Sequence, residues 1–428
     1  MNTKELKIEA CAKIDEYRDD IIKVVKKIYD SPETGYKEKK TTEIIKKEFA
    51  KLKLETQDNI SITGLKAQAK GKGSKPHLAI LGELDAVNCK EHPDSDNSTG
   101  AIHACGHNNQ IGIMIGVAYG LIKTNIISEL DGIIDFLAVP AEEYIELEYK
   151  EHLREQGKIK YFGGKQELIR RGYFDDVDLA IMAHSIDIGE MKDVIVGPNS
   201  QGFIRKKVKF IGYENLSEKI FEQEINALDA AVLAINGLST GSGTNIDKNN
   251  TRIYINNEEL LKASGSIIME TYVKGSTVKE LINVNQKVNR LIKEATKNVE
   301  ARAEINDTPG YFPLLNYEGL MDIFVDNLDG IISKEKVIKN FTLQGFFDSG
   351  DLSQIIPVLH PFFSGVKGSL HSDTFKTTDY DKAVITPAKV IAKTVIDILS
   401  DRENKLKKFN SSPYNKEEYL SFLEKISS

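Results

Sequence analysis

Two histidines and a cysteine fall within five residues in "HACGHNNQ", residues 103–110, and a run of amides follows them. Thiolate and neutral imidazole are standard zinc ligands, and Cys105 and His107, two residues apart, can face one cation. Glu143 ends the stretch "GIIDFLAVPAEE", His184 ends "DVDLAIMAH", and His371 opens "HSDTF". A charge or an imidazole set just past a buried strand needs a compensating partner. Together the five make a ligand set that reaches across the chain. Taken singly, a histidine usually packs and a buried cysteine is usually inert. His77, His92, His152 and His360 fit that description and are assigned nothing, and His103 is left open.

Glu142 and Glu143 are adjacent, and on extended backbone neighbouring side chains point to opposite sides. One carboxylate can then bind metal while the other faces a substrate as general base. A cysteine-nucleophile amidohydrolase is the rival mechanism, because His107 or His103 could serve as base to the Cys105 thiol. It leaves the acids and the distant histidines without a role. A descendant of the fold that binds metal or ligand without catalysis is the third reading.

These residues sit on a repeated plan. "HLAILGELDAV" runs into Glu83 and Asp85, "GIIDFLAVPAEEY" into the glutamate pair, and "DVDLAIMAHS" into His184. Short runs rich in Ile, Leu, Val and Ala read as buried strands. The helical patterns "IGIMIGVAYGLIKTN" and "GGKQELIRRGYF" follow the first two strands. Strand–helix alternation predicts an α/β fold, a mostly parallel sheet with helices on both faces. In such sheets ligands bind beyond the carboxyl ends of the strands, where all these groups would meet.

From residue 201 to 312 the pattern changes to a compact α+β unit: strands in "GFIRKKVKFIGY", "TRIYINN" and "GSIIMETYVKG", helices in "NALDAAVLAINGLS" and "STVKELINVNQKVNRLIKEATKNV". "NDTPGYFP" reads as the linker back. Residues 1–200 and 313–428 then form one domain, interrupted by the second. A chain of 428 residues is long enough for two cores.

The net charge of −7 gives no electrostatic reason to expect a nucleic-acid partner. The longest apolar stretch, "IGIMIGVAYGLI", is too short to span a bilayer, so no membrane partner is expected. The polar opening "MNTKELKIEACAKIDEYRDD" lacks the apolar core of a signal peptide, and three cysteines cannot all pair. A cytoplasmic protein with reduced thiols is expected.

With these motifs collected, the chain resembles the clan MH metal-dependent amidohydrolases, the family of aminoacylase and carboxypeptidase G. It is most similar to the branch of aminobenzoyl-glutamate hydrolases, auxin-conjugate amidohydrolases and β-alanyl-lysine dipeptidase-like proteins. Eight motifs carry the resemblance in order: "SPETGYKEKKT", "GELDAV", "HACGHN", "VPAEE", "GGKQELIRRGYFDDVDLAIMAHS", "NALDAA", "DSGDLS" and "HSDTF". The resemblance implies Cys105, His107, Glu143, His184 and His371 as ligands of two divalent ions, zinc or manganese, with cobalt or nickel acceptable. It implies Glu142 as general base and Asp85 as a supporting acid. The implied reaction is hydrolysis of a small N-acyl amino acid or dipeptide. The implied architecture is a metal-bearing α/β domain with an inserted α+β lid, through which a homodimer forms.

The chain departs from that pattern in places. Asn108 and Gln110 follow "HACGH" where the branch commonly has Asp or Asn and a further His. "YIELEYKEHLREQGKIKYF", residues 144–162, is inserted where many relatives turn at once to glycine, and so charged a segment is expected over the mouth of the site. The lid histidine of relatives falls on Leu216, leaving Asn215 or Ser217 as neutral oxyanion donors, and slow turnover of ordinary family substrates would follow. Asn226 of "NALDAA" joins Asn215 as a substrate-side candidate. Lys274 stands where relatives often carry an arginine for the substrate carboxylate; it keeps the charge and loses the bidentate fork.

Overall fold

The computed structural model describes residues 2–212, 220–240, 251–255, 266–339, 341–343, 345–400 and 412–427. By its internal contacts the chain divides into two compact units. The first comprises Met1–Asn199, Leu315–Leu343 and Asp351–Lys416; the second comprises Ser200–Leu314, Gln344–Gly350 and Glu417–Ser428.

The first unit is built on a six-stranded, mostly parallel sheet. Its strands lie in the order Thr56–Ile60, Gly64–Lys70, Ile133–Val139, His77–Glu83, Leu179–Ile181, Val358–Leu359. The last four run parallel to one another, and the first two add an antiparallel edge. Every residue of His77–Glu83 is buried. Alternate side chains leave a strand on opposite faces, so both faces of this central strand are covered. The fold is therefore the expected α/β class.

The helix His107–Ile122 packs against that central strand and is buried at every position from His107 to Leu121. A helix apolar all round can be stable only inside the protein. Gly112, Gly116 and Gly120 lie one turn apart, against Val25, Ala388 and Ile14 respectively, and a side chain at Gly112 would collide with Val25. The helix begins at Gly106, whose φ of 85° lies in the left-handed region that glycine tolerates. Its first residue is His107, so the turn that starts the helix also aims a site residue.

The second unit is a four-stranded antiparallel sheet, ordered Thr251–Ile255, Ser266–Gly275, Gly202–Ile211, Arg302–Pro309. The helices Ile220–Thr240 and Val278–Lys297 pack on it and on each other. Thr277 caps the second helix, accepting a hydrogen bond from the Glu280 amide. The strands and helices expected here are present, with one correction. Asn306–Pro309, expected as linker, is the end of a strand paired residue by residue with Ile204–Lys207. Its polar sequence hides it: Arg302–Asp307 alternates between exposed and half-buried positions and carries little apolar signal. Among the described residues no helix is long and apolar enough to cross a membrane.

Candidate metal centre

All the site residues expected from the sequence that lie in the first unit converge at the carboxyl ends of the parallel strands. The strand His77–Glu83 delivers Glu83 and, two residues on, Asp85. Ile133–Val139 leads through Pro140 and Ala141 to Glu142 and Glu143, and Leu179–Ile181 leads to His184. Cys105 and His107 straddle the start of the buried helix. His371 sits at a φ of 60° and is fixed by its amide, which donates to the Ala104 carbonyl at 2.9 Å.

Cys105 is where these groups meet. Its Sγ lies 3.5 Å from His184 Nε2. Donor atoms of Cys105, His107 and His184 all lie within 4.8 Å of one another, and so do those of Cys105, Glu143 and His371. His371 Nε2 is 3.1 Å from Glu143 Oε1. A third group joins Glu83, His107 and Glu142 within the same limit. Glu142 thus stands beside His107, at 3.8 Å from Nε2.

Main-chain carbonyls fix the tautomers of two histidines. His107 Nδ1 lies 2.8 Å from the Asp85 carbonyl oxygen, and His184 Nδ1 lies 2.8 Å from that of Ser185. A carbonyl only accepts, so both Nδ1 atoms carry hydrogen and each ring turns Nε2 toward the centre. Imidazole ligands of metal ions are held this way by their outer partners. Asp85 is fully buried; its Oδ2 accepts from the Glu143 amide at 2.9 Å. It orients a histidine and a glutamate at once.

The electrostatics call for a cation. Burial and Glu143 both push the Cys105 thiol up, yet His107, His184 and His371 outweigh them and bring it down to about 6. Burial works against charge on His371, but Glu143 and Cys105 carry it up to about 12. Burial raises Glu143, and His371 and His107 take it down to about 2. His107 is held well above its ordinary value despite burial, by Cys105 and Glu83. Negative groups thus draw positive charge into the centre, which protons or a metal ion can supply. Asp85 Oδ1, His107 Nε2 and Glu143 Oε1 are buried with no well-aligned hydrogen bond, their near neighbours being charged groups of the same centre. Orphaned buried polar atoms are costly unless something else engages them. Sulfur, imidazole nitrogen and carboxylate oxygen together suit zinc or manganese, so the residues fit the group.

Glu83 reaches the site as its strand-end position implied, but its partner Lys165, like Lys150, was not singled out by the sequence. Glu83 accepts from Lys165 Nζ at 2.5 Å and from Gln110 Nε2 at 2.6 Å, and approaches His107 Nε2 to 3.1 Å. Burial would raise it, but Lys165 and His107 hold it well below the usual carboxylate range. Gln110 therefore has a definite partner. Lys165 and Lys150 are both buried; as isolated lysines in charged segments they carry no signal separating them from surface residues. His360 lies within the same layer, its ring 6.2 Å from that of His184. His103 is buried with neither ring nitrogen hydrogen-bonded, and burial together with His107 lowers it to about 3.

Three substrate-side expectations fall elsewhere. Asn226 is half-buried on the helix Ile220–Thr240, and Lys274 lies on the strand Ser266–Gly275 with Nζ 5.1 Å from the centre of the Phe346 ring. Both belong to the second unit. Asn215, with Leu216 and Ser217, lies outside the described residues.

The family model described as Peptidase family M20/M25/M40 matches residues 79–397. Thermostable carboxypeptidase 1 of Saccharolobus solfataricus is 30% identical over 176 residues, a stretch covering 40% of this chain and 40% of that protein. The chain thus spans less than half the length of this relative. An N-acyl-L-amino acid amidohydrolase of Geobacillus stearothermophilus is 23% identical over 319 residues, covering 71% of this chain and 80% of its own. Among solved structures, a dinuclear metal-binding peptidase of the M20 family from Bacillus subtilis superposes with a TM-score of 0.69. It covers 90% of this chain and 99% of its own at 19% identity, a likeness of fold. Matched by the family model over most of its length, the chain belongs to peptidase family M20/M25/M40, a family of hydrolases.

Proposed function

We propose that the chain is a two-metal hydrolase that cleaves the amide bond of a small N-acyl amino acid or dipeptide. One observation carries the reading: Cys105 belongs to two separate donor triads, and Glu142 stands beside one of them. Cys105, His107 and His184 would hold one divalent ion, and Cys105, Glu143 and His371 the other. Zinc or manganese suits this set best, and cobalt or nickel fits the same donors. Ions held there lower the pKa of bound water and polarise a carbonyl. Glu142 takes a proton from the attacking water as the new carbon–oxygen bond forms. It returns that proton to the nitrogen as the carbon–nitrogen bond breaks, so acid and amine leave with charge balanced. Asp85 holds His107 and the Glu143 amide in place throughout.

The likeness to the family gives the substrate-side roles in this reading. Lys274 pairs with the substrate carboxylate, and Asn215 or Asn226 donates to the oxyanion. The exposed apolar residues Leu228 and Val232, one turn apart on Ile220–Thr240, support a homodimer through the second unit. The relative that names N-acyl-L-amino acids as substrate supports the substrate class.

The test is a panel of dipeptides and N-acyl amino acids, assayed after chelation and after return of Mn²⁺, Zn²⁺ or Co²⁺. Bound metal is counted by mass spectrometry. Hydrolysis that needs metal, with up to two ions per chain, supports the reading; no bound ion and no hydrolysis after loading overturns it. The 3.5 Å contact of Cys105 with His184 is the one feature favouring a cysteine nucleophile. Full activity in chelator, lost in Cys105→Ser, would choose that mechanism.

A further inference from the structure

The inserted segment places a lysine directly behind the two adjacent glutamates. Residues Leu147–Glu155 of the insertion form a helix, and its Lys150 is only 1% exposed. Lys150 Nζ donates to the main-chain carbonyl of Glu143 at 2.5 Å and lies 5.8 Å from the centre of the Tyr36 ring. Burial pushes the Lys150 ammonium toward its neutral form, and the nearby acidic groups, Asp85 foremost, act against that.

The segment is anchored independently of the main core. Leu153, Ile159 and Phe162 of the insertion cluster with Tyr36 and Ala141. At its start Glu146 accepts from Thr34 Oγ1 and Lys37 Nζ, each at 2.7 Å. On the other side of the same stretch, Glu38 accepts from the Ala141 amide at 2.8 Å. Ala141 itself has a φ of 53°, a left-handed conformation that costs a non-glycine residue free energy and needs support. The strained residue, the proposed general base and a proposed metal ligand are consecutive; the insertion packs with the first and hydrogen-bonds the third.

We propose that Lys150 is a positioning residue of the active site: it ties the Glu143 carbonyl and sets a fixed ammonium behind Glu142 and Glu143, so both carboxylates stay aimed at the centre. Through this one side chain the insertion is tied to the proposed active site. This rests on the two-metal reading above. A buried ammonium with one strong acceptor and nearby carboxylates orients them more firmly than a neutral side chain could.

The experiment compares wild type, Lys150→Met, Lys150→Arg and Leu153→Ala. Leu153→Ala loosens the same helix without touching the charge. Metal content and affinity, kcat, KM and the melting temperature are measured for each. Lys150→Met should lose at least tenfold in kcat and bind metal at least tenfold more weakly, with KM within about threefold of wild type. Lys150→Arg should recover a substantial part of both losses, and Leu153→Ala should lose stability while keeping kcat within about twofold. If Lys150→Met does not fold, Lys150→Gln, which keeps a donor and removes the charge, is read by the same thresholds. Wild-type kcat and metal affinity in the neutral variant would overturn the proposal, as would equal losses in Leu153→Ala. A wild type that neither binds metal nor turns over would instead defeat the two-metal reading.

Discussion

At the scale of single residues, the centre combines groups whose types are plain in the sequence with groups whose burial is not. Glu142→Gln should cut kcat by roughly a hundredfold to ten-thousandfold, the usual worth of a positioned general base. Metal content should stay at the wild-type level; loss of metal would make Glu142 a ligand instead. Cys105, drawn down to about 6, gives a second prediction. In metal-free protein, iodoacetamide should alkylate it with a midpoint near pH 6, and bound zinc should block the reaction. Cys11, whose pKa burial raises, should react only at higher pH. A Cys105 midpoint near 9 would contradict the geometry. Cys105, His107, Glu142, Glu143, His184 and His371, which the fold brings together, could be singled out beforehand because each follows a strand end or lies in a distinctive motif. Lys150 and Lys165 could not, since what distinguishes a buried lysine from a solvated one is the fold around it. Gln110 looked like divergence and proves to hold Glu83.

At the scale of elements, tight turns carry the segments proposed to be catalytic, and two substitutions probe them. A side chain on Gly164 would run into the Pro140 carbonyl, just before Ala141 and Glu142. Gly164→Ala should therefore cost about 2 kcal/mol in a denaturant titration and lower kcat as well. An unchanged midpoint would mean the turn is slack. Glu38 supports the same stretch from the other side, and burial with Asp85 nearby pushes it up to about 8. The folded chain then holds a proton that the unfolded chain has released above about 4.5, so this group's stability contribution falls as pH rises toward 8. Gln at this position keeps an acceptor for the Ala141 amide, and its N–H can donate to Thr63 Oγ1, which in wild type donates to Glu38. Metal-free Glu38→Gln should thus lose less stability than wild type between pH 5 and 8, by thermal melts; parallel curves would refute the shift. The strands and helices themselves were readable from periodicity, because Ile, Val and Leu runs bounded by charge have few other solutions. The strand Arg302–Pro309 was not, because an edge strand with polar faces looks like loop until its partner is known.

At the scale of the whole molecule, metal held by the proposed ligands would couple to folding of the first unit. An ion at a hundred times its dissociation constant adds about 2.7 kcal/mol to whatever it binds. Adding zinc or manganese should raise the melting temperature and slow hydrogen exchange more in peptides from residues 79–199 than in those from 266–309. Equal protection throughout would show that binding is not local to the centre. The two-unit division was visible as a change of pattern near residue 201, but the return of 344–350 and 417–428 to the second unit depends on contacts distant in sequence. The six-stranded sheet has one further consequence. One outer strand, Val358–Leu359, is two residues long; the other, Thr56–Ile60, slips register between Asp58 and Ile60 and carries Asn59 at a φ of 58°. Long, flat outer strands are templates on which a second chain can add, and bulges and brevity spoil them. The sheet that carries the chemistry therefore ends bluntly on both sides, and crowded copies of this protein have no ready ladder there from which a fibril could grow.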